Sequence, residues 1–147
     1  MKKTFIVPLV VLLLLVTSGL MVAVYSVKHL TIDDPEHPFS WHGTAFLSTE
    51  AYCNITGANN WVKEAPVIMS DPDNPGSVQL RVLDGNSAVI GSEKTLAPGK
   101  SIRLDTIPAL SGTYVIQGKV TESGEYGFIV PHEHKEKLYK MYQSVFE

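Results

Sequence analysis

Five histidines are the residues of this chain whose types and spacing could do chemistry. His29, His37 and His42 precede the central part of the sequence, and His132 and His134 follow it. Imidazoles with nearby Asp33, Asp34 and Glu133 are a ligand set that suits zinc or copper. Two clusters so far apart in sequence can meet only if the first and last elements of the domain are neighbours. The residues that would then hold a metal are His37, His42, His132 and His134. The bland alternative is that both clusters are solvated, because both lie in charged, turn-rich sequence.

Other chemistries leave fainter traces. Asp71, Asp73 and Asn74 crowd one loop, but an EF-hand would need an Asx ligand at its fifth position and Glu at its twelfth, and Pro75 and Val82 stand there. A turn is the simpler reading. Gly99-Lys100-Ser101 mimics the end of a phosphate loop, but Lys94 occupies the place of its first glycine and a strand-like pattern follows. No Gly-x-Ser-x-Gly elbow is present. Cys53 is the single cysteine, so no intramolecular disulfide can form, and a buried, inert thiol is expected. Asn54-Ile55-Thr56 is a glycosylation sequon. No catalytic set remains, no cofactor is implied, and a non-enzymatic role is expected.

The elements that must position these residues begin with an anchor. Thr4 to Val27 contains no charge, which is long enough for a helix across a ~30 Å hydrocarbon layer. Lys2 and Lys3 precede this run; Lys28 and then Asp33, Asp34 and Glu36 follow it. The positive end stays cytoplasmic, so residues 1–28 read as a transmembrane signal-anchor with the rest outside. Cleavage near Val24-Tyr25-Ser26, giving a secreted domain, is the alternative. Residues 29–38, with Asp33-Asp34-Pro35-Glu36-His37-Pro38, read as an extended stalk. Beyond the anchor nine basic residues face 15 acidic ones, a net of −6. That balance disfavours nucleic acid.

From Phe39 to Val130 short apolar runs alternate with turn signals, as in a small β-sandwich. The runs expected as strands are Thr44–Ile55, Trp61–Met69, Val78–Val82, Ala88–Gly91, Ile102–Leu104, Tyr114–Val120 and Tyr126–Val130. Asp84-Gly85-Asn86 and Ala97-Pro98-Gly99 supply turns. Trp41, Tyr52, Trp61, Tyr114 and Tyr126 are expected mainly in the core, with Trp61 beside Asn59-Asn60 open as a carbohydrate platform. In the last segment, 131–147, Leu138, Met141, Tyr142, Val145 and Phe146 form one stripe of an amphipathic helix. Such a stripe must be covered by the domain itself, by a partner protein or by a lipid surface.

Two resemblances follow from these residues. Glu122, Gly124 and Tyr126 in ESGEYGF resemble the tyrosine-corner segment of immunoglobulin-like sandwiches, with Phe128 where that family has its second core cysteine. This implies a Greek-key, immunoglobulin-like or similar sandwich. GEYGFIVPHEHKEKLYKM also looks like the copper loop of cupredoxins, with Ile129 or a neighbour in the cysteine place and His134 and Met141 at similar offsets. Without the thiolate, no blue-copper centre can form. The expected function is therefore a membrane-anchored, extracytoplasmic β-sandwich acting as a binding, accessory or assembly subunit of a membrane or envelope complex. Its partners would be the bilayer, through the N-terminal helix, and other membrane or envelope proteins. The alternatives are a metal-handling domain for copper or zinc and a carbohydrate-binding surface module.

Overall fold

The computed structural model describes residues 10–18, 39–60 and 62–146. Its order is a helix α1 over 10–18, then β1 (Ser40–Leu47), β2 (Cys53–Asn60), β3 (Val67–Ser70), β4 (Val78–Leu83), β5 (Val89–Leu96), β6 (Ser101–Arg103), β7 (Gly112–Val120), β8 (Gly124–Pro131) and the helix α2 (Glu133–Phe146). The chain divides into two compact units: Glu36–Glu133 carries every strand, and Met1–Pro35 with His134–Glu147 forms the other.

The strands make two four-stranded antiparallel sheets packed as a sandwich, in the orders β1-β8-β3-β6 and β2-β7-β4-β5. Binary pattern explains which face each strand buries. In β4, Val78, Leu80 and Val82 are buried, and Gln79 and Arg81 alternate outward. In β7 and β8, Tyr114, Ile116, Val120, Tyr126, Phe128 and Val130 line the same interior. Gly118 lies among them because a Cβ there would meet Ile55 Cδ1 and Val78 Cγ1 at 2.9 Å. The missing side chain lets both sheets close over β7.

The order has a simple logic. β1 pairs with β8, β2 with β7, β3 with β6 and β4 with β5. The chain is one long hairpin, folded at the β4–β5 turn and rolled so that β8 also meets β3 and β7 meets β4. This is jelly-roll connectivity. The sandwich expectation holds, but the immunoglobulin-like order does not describe these eight strands. The long-range pairing decides the order, and a local motif cannot encode it.

Turn chemistry acts where the sequence places it. The Asp84 carboxylate accepts the Asn86 and Ala88 amides at 2.8 and 2.9 Å, and Ser87 takes a φ of 65°. Several boundaries differ from the pattern. Thr44–Ile55 spans two strands, β1 and β2, separated by a turn. β3 is confined to Val67–Ser70. β5 runs on to Leu96, past an irregular pairing between Leu80 and Val82 of its partner. Pro131 ends β8, and α2 starts at Glu133.

In α1 the polar side chains are satisfied within the helix: Ser18 Oγ donates to the Leu15 carbonyl at 3.0 Å and Thr17 Oγ1 to the Leu13 carbonyl at 2.9 Å. Among the described residues no helix is long and apolar enough to cross a membrane. Most of the expected span, and the whole stalk 29–38, lie outside the described residues.

Candidate functional site

The histidines come first. β1 and β8 are neighbours, so the early and late parts of the domain do meet. His42 lies opposite Ile129, and the His132 amide donates to the Phe39 carbonyl at 2.7 Å. The two positions are therefore three residues apart along the ladder, about 10 Å at ~3.3 Å per residue. Their parity is opposite too. His42 alternates with the inward Trp41, and its Nε2 is 2.8 Å from Ser40 Oγ, whereas His132 shares the parity of the buried Phe128 and Val130. His37 and the His134 side chain lie outside the described residues. Among the described residues no three His, Cys, Asp or Glu side chains gather as a metal site.

The other candidates are placed as follows. Cys53 begins β2, half-buried against the core rather than fully buried, with its thiol 3.7 Å from the Ala51 carbonyl. The Asp71 loop is a turn: the Asp71 carboxylate accepts the Asp73 amide at 2.8 Å. Asn74 reaches further and makes two bonds to Gly127, donating to its carbonyl at 2.8 Å and accepting its amide at 2.7 Å. A side-chain amide thus continues the ladder of β8. Trp61 lies outside the described residues, as do the side chains of Tyr142, Val145 and Phe146. Of the helical stripe, Leu138 and Met141 are described, and they are 37% and 57% exposed.

Tyr126 and Tyr114 are core residues, as expected. The Tyr126 hydroxyl donates to the Glu122 carbonyl at 2.8 Å, which closes a tyrosine corner on β8. Burial first, and the Glu122 charge second, push its phenol above the ordinary value. Tyr114 is raised by burial, then by the charge of Glu64 and a hydrogen bond to it.

Tyr52 is different. It lies on the outer face of the β2-β7-β4-β5 sheet, with the Arg81 guanidinium 4.0 Å from its ring centroid. Burial, a hydrogen bond to Glu93 and the Glu93 charge raise its phenol to about 12, against the opposing pull of Arg81. The neighbours continue the network. Arg81 Nε donates to Gln117 Oε1 at 2.9 Å, Gln117 Nε2 to Asn54 Oδ1 at 2.8 Å and Gln79 Nε2 to Glu93 Oε2 at 2.8 Å. Side chains from four strands and the β1–β2 turn are thus tied into one polar surface. Beside it lies an open groove of about 580 Å³, lined by Thr49, Ser77, Gln79, Thr95, Lys119 and Thr121 among others. Sequence reading placed Tyr52 in the core and passed over this face. The available signal was the outward polar alternation at Gln79, Arg81, Gln117 and Lys119.

One free edge of the sandwich is covered by side chains. On the β5–β6 side, Asp105 Oδ2 accepts the Ser92 amide at 2.7 Å, and Lys94 Nζ pairs with Asp105 at 3.0 Å and donates to the Arg103 carbonyl. The Ser92 amide, then Lys94, holds the Asp105 carboxyl below its usual value. Gly91, at φ +68°, leaves room for that carboxylate, which a Cβ would overlap. Asp105 thereby occupies a donor on an edge strand that could otherwise pair with another chain.

No family model and no curated protein matches the chain. Among solved structures, a crystal structure of PirA is similar with a TM-score of 0.45 at 9% identity, covering 63% of this chain and 92% of that one.

Proposed function

We propose that the chain is a tethered, non-catalytic binding or accessory subunit of a membrane or cell-envelope complex. An N-terminal helix holds the sandwich at the extracytoplasmic face, and the domain contacts neighbouring proteins in the same membrane. The observation that carries this reading is α2, a 14-residue helix on which the apolar Leu138 and Met141 are exposed. A short helix is marginal in water unless its apolar face is covered. A partner protein is the covering the reading assigns.

Two features support it. The uncharged run Thr4–Val27, with lysines before it, suits an anchor of that orientation. Three well-formed polar contacts serve the fold: Asn74 extends a ladder, Asp105 covers an edge and Tyr126 ties a corner.

The test uses the full chain in its own membranes. A Leu138→Glu/Met141→Glu variant is compared with wild type by native electrophoresis after mild detergent extraction. The wild type should migrate as a complex, and the variant should shift to the size of the chain alone with its thermal unfolding unchanged. A wild type that already migrates alone contradicts the reading.

A further inference from the structure

We propose that the groove on the outer face of the β2-β7-β4-β5 sheet is a binding site for a neutral saccharide. The inference goes beyond the accessory role above and does not involve α2.

Register builds the floor of the groove. Gln79 lies directly opposite Lys119 on one side and Thr95 on the other. Val78, Val120 and Leu96 point into the core, so Lys119, Gln79 and Thr95 share the outer face as one cross-strand row. Thr49, Ser77 and Thr121 also line the groove and contribute hydroxyls. Among the described residues, the side chains of Thr49, Ser77, Thr95, Thr121 and Lys119 have no hydrogen-bond or ion-pair partner. The groove therefore offers four hydroxyls, which both donate and accept, and an ammonium, which donates. Gln79 adds a carboxamide oxygen and its second N–H, the first being tied to Glu93.

The wall is pre-organised. Tyr52, Arg81, Glu93, Gln117 and Asn54 hold one another through the contacts described above, so Gln79 presents its oxygen in a fixed position. Fixed polar groups bind with less ordering cost than mobile ones. A volume of about 580 Å³ lies in the ~300–1,000 Å³ range of small-ligand clefts.

Two properties select the ligand class. A lining of hydroxyls, one amide oxygen and one ammonium matches a molecule dense in hydroxyl groups. Within the unit Glu36–Glu133, 6 basic residues face 11 acidic ones, a net of −5, and with Glu93 at the border this opposes a polyanion. A neutral oligosaccharide satisfies both conditions; a uronic acid polymer or a phosphorylated ligand satisfies only the first.

The test is saturation-transfer NMR on the full chain in detergent. The probes are neutral gluco-, manno-, xylo- and galacto-oligosaccharides, with oligogalacturonate as the acidic comparison. At least one neutral probe should show transfer, with affinity falling at least tenfold in Gln79→Ala and in Lys119→Ala. Ser101→Ala, on the other sheet, should leave it unchanged. Each variant is first shown to melt with wild type. Any of three results overturns the proposal: no transfer to any neutral probe, transfer indifferent to Gln79→Ala, or binding confined to the acidic probe and abolished by salt. None of these bears on the accessory role, which is read from native electrophoresis.

Discussion

Tyr126→Phe isolates one hydrogen bond in the sandwich. The ring is 1% exposed and packs with Phe128 and Val130, and phenylalanine keeps that packing. The substitution removes the 2.8 Å bond from the phenol to the Glu122 carbonyl. A neutral hydrogen bond contributes about 0.5–1.5 kcal/mol net. Glu122 is exposed, so water can take over its carbonyl and no buried acceptor is stranded. The expected loss is therefore near the middle of that range, about 1 kcal/mol. In a folded unit of about a hundred residues this lowers Tm by about 4–8 °C. Tyr126→Ala loses the ring as well and should cost about 3–5 kcal/mol. Thermal unfolding followed by far-UV circular dichroism reads both. If Tyr126→Phe melts with the wild type while Tyr126→Ala unfolds, only packing matters and the corner bond contributes nothing.

Gly118→Val forces a side chain between Ile55 and Val78 and should cost about 1–3 kcal/mol by thermal melt; no loss would mean the sheets are not closed over β7. Asp105 has a lowered folded-state pKa, so its contribution is present above the ordinary value of 3.8 and lost as pH falls through the folded value. Asp105→Asn should thus melt below wild type at neutral pH, and the difference should shrink as pH falls below the ordinary value of 3.8 and through the lowered folded value. Asp105→Ala, which leaves no side-chain acceptor, exposes the Ser92 amide on β5, so light scattering should show more self-association. Tyr52, Tyr114 and Tyr126 all have raised phenol pKa values, so the unfolded chain releases these protons first. Stability should fall as pH rises above the ordinary value of 10, and Tyr126→Phe should fall less steeply in that window.

Local rules made part of this fold legible. Val78, Leu80 and Val82 announced β4 because a half-buried strand must alternate. Asp84-Gly85-Asn86 announced its hairpin through backbone preferences. ESGEYGF announced the Tyr126 corner, whose bond spans only four residues. What escaped was non-local or cross-strand. The pairing of Ser40 with Pro131 joins residues from opposite ends of the domain, and no local signal fixes it. The pattern marks only Ala88–Gly91 as the returning strand, whereas β5 continues to Leu96 with Asp105 capping its edge. Tyr52 was assigned to the core on residue type alone. Its place was decided by Arg81 and Glu93, which lie in other strands. The groove beside it depends on the register of β4, β5 and β7, so it was out of reach of the sequence. The histidines show the same limit: strand order made β1 and β8 neighbours, but register and pleat parity keep His42 and His132 three steps apart.

The central claim is that an anchored domain works at the outer face of a membrane. Protease accessibility of the full chain in sealed cells or vesicles, combined with alkaline carbonate extraction, tests it most directly. The chain should stay with the membrane through carbonate, and external protease should reach the unit Glu36–Glu133 without permeabilisation. A chain released by carbonate, or one digested only after the membrane is opened from the cytoplasmic side, would contradict the claim.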